Sequence, residues 1–171
     1  MAMIAVYLKL EAEKAGKVRG PVRDSRNENK EGSIALLAVE HGIVSPRDVA
    51  TGMPSGKRQH LAISFTKETD STSPLFAQFI ATNELIKTAE FFFFGQDSQP
   101  GLGAGRETLQ YRISLRKAFV SRIELAGHVD EAAREANRFP LTDKISLVYD
   151  TIKWEWTSPN TVAEDAFSSK T

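Results

Sequence analysis

Alternation of apolar and polar residues with period two dominates the chain. Ile4, Val6, Leu8 and Leu10 alternate with Ala5, Tyr7 and Lys9, and Leu61, Ile63 and Phe65 alternate with Ala62, Ser64 and Thr66. Each set reads as a strand with one buried face. Residues 34–43 (IALLAVEHGI) form an apolar run ended by turn residues, which predicts a strand buried on much of both faces. Leu109, Tyr111, Ile113 and Leu115 alternate with polar neighbours, less cleanly onward through Phe119, Ile123 and Leu125, predicting two strands or one long bent one. In the last apolar stretch Ile145, Leu147 and Tyr149 are odd-numbered, whereas Ile152, Trp154 and Trp156 are even-numbered. A bulge or bend near Asp150-Thr151 restores one buried face to both halves.

Only one segment reads convincingly as a helix. Ser73 is placed to cap the first free amides, Pro74 suits the first helical position, and Leu75, Phe76, Phe79 and Ile80 make one apolar stripe. Phe91 to Phe94 follow in an extended segment, where successive side chains point to opposite faces and both need cover. The expectation is that one face meets the core and the other the helix.

The connections are polar. Residues 11–32 read as a long exposed loop with six Lys and Arg from Lys14 to Lys30, and Asp24, Glu28 and Glu31 interleaved, a solvated loop rather than an anion site. Residues 44–58 (VSPRDVATGMPSGKR) are too rich in Pro, Gly, Ser and Thr for an element interior, and a loop of this length is usually functional or disordered. Residues 96–107 form a Gly-rich connection, and residues 127–140 a charged loop with a short helical turn capped by Asp130. Residues 160–171 read as a polar, frayed C-terminal tail. Many strands, one main helix and no repeats predict a single mainly β (α+β) domain, a barrel or sandwich, over residues 1–159.

Charge sharpens this picture. The 171 residues hold 22 Lys and Arg against 22 Asp and Glu, so no global field draws a phosphate backbone, and self-repulsion between copies is weak. With no Cys there is no disulfide frame, thiolate nucleophile or thiolate-bound zinc. The first residues lack a basic n-region and a continuous apolar h-region, and no run reaches the roughly 20 residues of a membrane span. The chain is therefore expected to be made in the cytoplasm without a signal peptide.

Catalytic chemistry finds no support in the pattern. His41, His60 and His128 have no partner at a metal-ligand spacing and read as structural. GLGAG, residues 101–105, is followed by a strand pattern rather than a helix able to hold a pyrophosphate. GMPSGK, residues 52–57, lacks the phosphate-loop spacing and the following Ser or Thr. The acid pair Glu164-Asp165 falls in the tail, without a dry pocket to tune it. No cofactor, metal or enzymatic activity is expected. Trp154 and Trp156 share a face and read as core residues, with sugar stacking as the alternative.

Taken in order, the segments resemble the haemolysin-coregulated protein (Hcp) family, the tube subunits of type VI secretion systems. The resemblance is carried by MAMIAVYLKLE at the start, SIALLAVEHGIVSPRD, TGMPSGKRQHLAISFTKETDSTSPLF and the closing ISLVYDTIKWEW. Its most specific part is the third block, with Gly56-Lys57-Arg58, His60, Thr66-Lys67, Asp70 and Ser73-Pro74 in the family's order and spacing.

The resemblance implies a small β-barrel of two antiparallel sheets flanked by one α-helix, assembling into hexameric rings that stack into the inner tube of a contractile machine. It implies as partners further copies of the chain, the spike, sheath and baseplate proteins, and effector proteins in the lumen, with no nucleic acid or membrane insertion. Export follows by the machine itself, to the medium or a target cell. On this reading Pro46, Arg47, Asp48, Lys57 and Arg58 of the 44–58 loop are candidate inter-subunit or ring-stacking contacts. Residues 11–30 and 127–140 diverge from the family pattern, and the tail is longer than usual. The competing expectation is a monomeric β-barrel or sandwich that binds a small ligand or sugar through Trp154 or Trp156.

Overall fold

The computed structural model describes residues 3–96, 107–127, 131–135, 141–157 and 160–167. In chain order the elements are β1 (Met3–Ala12), β2 (Gly16–Lys17), β3 (Ile34–Leu36), β4 (Ala38–Glu40), β5 (Ile43–Val44), β6 (Gln59–His60), β7 (Ile63–Glu68), α1 (Ser73–Thr82), β8 (Ile86–Gln96), β9 (Glu107–Gly127), α2 (Glu131–Glu135), β10 (Leu141–Thr157) and β11 (Asn160–Ala166). The mainly β class is as expected. The two sheets of the expectation are one nine-stranded sheet, ordered β2-β1-β8-β9-β10-β7-β4 with β3 on β1 and β11 on β10, and a separate two-stranded ribbon, β5-β6.

The apolar run 34–43 is not one doubly buried strand. It divides into β3, β4 and β5, and Ile34 is its only fully buried residue. The division has a geometric role: Ile34–Leu36 pair with β1, Ala38–Glu40 pair with β7, and the Leu37 amide between them donates to the Thr66 carbonyl at 2.7 Å. Seven consecutive residues thus bring together the first and last long strands of the sheet path. The core they enclose includes Leu8, Phe65, Phe91, Leu115, Ile145 and Ile152, with Phe76 and Phe79 from α1. Phe65 meets both Phe76 and Phe91 edge-on at 5.8 Å.

Phe91 shares this core with the helix, so the helix covers the same face as the core and not the opposite one. Phe94, on the other face, packs edge-on against Tyr7, and the Lys30 ammonium lies 4.6 Å from its ring centroid. Lys30 is buried and paired with Glu107, so segment 18–33 is a packed strap rather than the exposed loop expected. Amide bonds from Gly20 to Gly32, from Val22 to Ser33 and from Gly32 to Val22 hold the two halves of the strap together.

The phase change in the last apolar stretch is present, but as a bend without a slip. Tyr149 pairs with Ala118 and Thr151 with Arg116, so the register runs through Asp150 and Lys117 unbroken, and Lys117 absorbs the bend at φ +50°. The slip between β9 and β10 sits nearby instead, at Ser121, whose hydroxyl donates to the Ser146 carbonyl at 3.2 Å. Residues 109–125 belong to one long strand, β9. Residues 160–166, expected to fray, form β11 along the second half of β10, from Thr157↔Asn160 to Thr151↔Ala166. The short helix in 127–140 is present as α2, while its expected cap, Asp130, lies outside the described residues, as does His128.

Helix α1 begins where expected, by a different device. Its cap position is Thr72, which makes no side-chain cap bond, and Asp70 accepts the Thr72 amide at 2.7 Å and its hydroxyl at 2.6 Å. Ser73, the expected cap, instead takes the Asp70 amide at 3.0 Å and donates to Asp143. Between them lies Lys67, with no exposed surface, its ammonium 2.9 Å from Asp70, 3.0 Å from Ser73 Oγ and 3.4 Å from Asp143. The block Lys67, Asp70, Ser73 is therefore a buried charge cluster that joins β7, β10 and the start of α1.

Candidate functional site

β10 is paired with β7 through Leu147 and with β11 from Thr151, so between them Val148 and Tyr149 pair on the β9 side only, while the Asp150 carbonyl accepts the Phe167 amide at 2.7 Å. Into the gap between β7 and β11 runs the ribbon β5-β6, from whose far end residues 45–58 project. The two strands pair at Ile43↔His60 and Val44↔Gln59, and the Leu61 amide closes the base on the Gly42 carbonyl at 3.0 Å.

The projecting segment is internally tied. Arg47 bridges Pro54, the Ser55 amide reaches the Pro46 carbonyl at 3.0 Å, and the Asp48 amide reaches the Met53 carbonyl at 2.9 Å. Asp48 Oδ1 accepts the Ala50 amide at 3.0 Å, the Thr51 amide at 2.8 Å and the Thr51 hydroxyl at 2.9 Å, which holds its carboxyl below the ordinary value. Gly52, at φ +69°, supplies the left-handed turn residue. The result is a shaped knob on which Val49 is 103% exposed and Met53 64% exposed.

Of the five candidate contacts, Pro46, Arg47 and Asp48 lie together on the outgoing arm of this knob, and Lys57 lies exposed on the return. Arg58 turns back on its own chain, with its guanidinium on both oxygens of Asp165 in β11. The Arg58 hydrogen bonds hold the Asp165 carboxyl down to about 2, reinforced by His60, against the upward pull of burial. The Glu164-Asp165 pair is thus half committed to an anchor, contrary to its reading as an untuned acid pair.

The anchor continues inward. His60 Nε2 lies 2.9 Å from Asp165 Oδ2 and His60 Nδ1 lies 3.1 Å from the Tyr149 hydroxyl, which is 2.6 Å from His41 Nε2. One proton arrangement satisfies every member: His60 Nε2–H donates to Asp165, Tyr149 donates to His60 Nδ1, and His41 Nε2–H donates to Tyr149. Burial, with the Asp165 charge, pushes the Tyr149 phenol up to about 12, and burial, with neighbouring His60, pushes His41 down. A phenol so hard to ionise and a carboxylate locked to Arg58 are suited to holding parts together.

His41, His60 and Asp165 were individually visible in the sequence, but their convergence on Tyr149 was not, since it joins residues 41, 60, 149 and 165. Trp154 and Trp156 are half-buried, with Trp154 against His41 and Trp156 against Tyr111. Among the described residues no group of three or more His, Asp and Glu side chains could hold a metal ion.

The anchor makes β11's attachment acid-sensitive. The Asp165 carboxyl titrates below its ordinary value, so the stability it confers is complete above about pH 4 and is lost as pH falls toward about 2. The stability difference between the unmodified chain and Asp165→Asn should be constant near neutrality and vanish toward pH 2. The fluorescence of Trp154 and Trp156 reports it, since both residues pair with β11.

The family described as "Type VI secretion system effector, Hcp" matches residues 7–156. The chain is 23% identical over 149 residues to the Major exported protein of Pseudomonas aeruginosa, covering 86% of this chain and 83% of that one. Among solved structures, an Hcp protein superimposes with a TM-score of 0.82 at 23% identity, over 99% of this chain and 100% of the other. A double mutant of Hcp1 from Escherichia coli gives 0.78 at 29% identity, over 96% and 99%, and Hcp3 from Pseudomonas aeruginosa gives 0.74 at 18%, over 98% and 100%. Hcp proteins form hexameric rings and are exported by the type VI system, and nothing in these matches supports the monomeric sugar- or ligand-binding alternative. The chain belongs to the Hcp family and is a structural tube subunit of type VI secretion, not an enzyme.

Proposed function

We propose that the 45–58 knob is the element through which one subunit engages another, with Pro46, Arg47, Asp48 and Lys57 at the contact and Arg58 fixing its base. The observation that carries this is a tied projection whose apolar tip, Val49 and Met53, stands exposed among the described residues. Exposed apolar groups on a preorganised element bind with little ordering cost. In this reading the stacked rings are the inner conduit driven by the sheath from the baseplate, tipped by the spike, with effector proteins in the lumen. The chain is made in the bacterial cytoplasm and leaves through the machine into the medium or a target cell.

Native mass spectrometry tests the knob. The unmodified chain should give a ring near six times 18.9 kDa, with stacked multiples at high concentration. The Val49→Asp/Met53→Asp variant should keep its fold and lose at least tenfold in stacking or ring yield. Unchanged assembly would remove the knob from the interface.

A further inference from the structure

The side chains of Asp165, His60, Tyr149 and His41 tie both limbs of the β5-β6 ribbon to β10 and β11. His41 stands at the root of the outgoing limb, just before β5, and His60 lies in β6 on the return limb. Both imidazoles bond the same Tyr149 hydroxyl, at 2.6 Å and 3.1 Å. A hydroxyl carries a single hydrogen, so the protonation of one histidine constrains the other.

The two rings have unequal surroundings. The His60 side chain is almost entirely buried, with the Asp165 carboxylate on Nε2, the Arg58 guanidinium on that same carboxylate and the Phe167 ring edge-on. Together with Tyr149 it lines a cavity of about 360 Å³ between the start of β7 and the end of β11, open to solvent and walled also by Lys117 and Asp150. Water and protons reach the network from there. His41 is half-buried between Tyr149 and Trp154, forms no ion pair among the described residues, and has as its chain neighbour Glu40, which is paired with Lys144. A carboxylate in contact favours a cation on His60, and nothing comparable favours one on His41.

Counting protons shows how much the network absorbs. A first added proton makes His60 Nδ1 a donor. Tyr149 then accepts from His60 and turns its own hydrogen to His41 Nε2, with His41 in the tautomer that carries its hydrogen on Nδ1. Two bonds reverse direction and none is lost. A second proton has no such adjustment. Both rings then donate to the Tyr149 oxygen, whose hydrogen is left with the Leu61 carbonyl at 3.4 Å, and two cations face each other across one atom. The nearby carboxylate is already shared between His60 and Arg58.

We infer that His41, Tyr149 and His60 form a proton-operated latch on the β5-β6 ribbon, which takes up one proton without opening and releases His41 on the second. Opening is one-sided: His60, as a cation, grips Asp165 more firmly, while His41 leaves Tyr149 and frees the outgoing limb at residues 42–44. Burial and the neighbouring His60 hold the His41 ring below its ordinary value of 6.5. The attachment of this limb is therefore complete above that value and is lost as pH falls through it toward the depressed one. The response is separate from that of Asp165, which comes only toward about pH 2. The latch acts whether or not the knob touches another copy.

Deuterium exchange on the full chain, read by mass spectrometry at backbone amides and at the imidazole Cε1 positions, tests the latch. With intrinsic rates divided out, opening of residues 42–44 and 59–61 should rise about tenfold between about pH 7.5 and about pH 5. Residues 143–147 of β10, paired on both sides by β7 and β9, should stay closed. The His41 proton should arrive together with the opening, with the His60 proton already in place. His41→Gln offers Tyr149 either a donor or an acceptor without titrating, so its ribbon should stay closed to about pH 5. Tyr149→Phe removes the shared hydroxyl, and His41 should then titrate nearer its ordinary value, independently of His60.

The latch is overturned if His41→Gln opens with acid as the unmodified chain does, or if His41 takes up its proton while residues 42–44 stay closed. A Tyr149→Phe chain in which the His41 titration is unchanged also overturns it, because the hydroxyl would then not couple the two rings.

Discussion

Replacing Lys67 by methionine is expected to lower the unfolding free energy by about 3–5 kcal/mol, the range for breaking a buried ion pair from one side. The methionine fills nearly the same space, so the loss is electrostatic: Asp143, which is buried, and Asp70 are left facing each other and Ser73 without a cation. Urea denaturation followed by tryptophan fluorescence measures it. Lys67→Met combined with Asp143→Leu should recover much of the loss, because the most deeply buried carboxylate is then gone and Asp70, partly exposed, keeps its bonds from Thr72. The pH dependence has a defined sign. Burial works to raise the Asp70 carboxyl, but hydrogen bonds from Thr72 and Lys67 outweigh it and hold the group below its ordinary value. Its contribution is therefore present above that ordinary value and lost as pH falls through the depressed one. A Lys67→Met loss that stayed constant down to strongly acidic pH would contradict this.

Gly20→Ala should be comparably damaging although it adds one methyl group. A Cβ at Gly20 would stand 2.0 Å from the Ser33 carbonyl oxygen, 2.3 Å from its carbon and 2.7 Å from the Ile34 nitrogen, all backbone atoms. No rotamer change relieves such a clash. The strap must separate from residues 32–34, and Ile34 is where the chain enters β3 and the core. The expected cost lies at or above the upper end of the roughly 1–3 kcal/mol typical of overpacking. Gly32→Ala, with open space around its Cβ and a strained positive φ, should cost only about 1 kcal/mol. Equal midpoints for the two variants in thermal unfolding would refute the steric account.

The long strands were legible because period two runs through most of their length, broken only at a bend or bulge, and the same rule reached further than apolar residues. Lys67 shares the phase of Ile63 and Phe65, and Asp143 that of Ile145 and Leu147, so alternation alone places both charges on the buried face. Residues 34–40 were misread because their apolar content is used in two pairings at once, which a pattern local to one strand does not reveal. Segment 160–166 was misread because its composition is polar. Its order comes from β10 and from Arg58 and His60, about a hundred residues away. The knob was legible as a breaker-rich loop too long to be idle. The cavity was not, because it arises from the ends of two strands that are not adjacent in sequence.

The position of the Arg58–Asp165 anchor also sets how the last strand responds to force. β11 folds back on β10 after Thr157, so an antiparallel pair of this kind opens as a zipper, one rung at a time, from the end remote from the turn. That end is Thr151↔Ala166, one residue from the anchor. A pull on the chain beyond Phe167 therefore meets the Phe167 amide bond to the Asp150 carbonyl, the Thr151↔Ala166 rung and the charged clamp together, before the rest of the ladder. Resistance is greatest at this end, after which the strand peels, so mechanical strength is concentrated around Asp165 instead of spread evenly along seven residues.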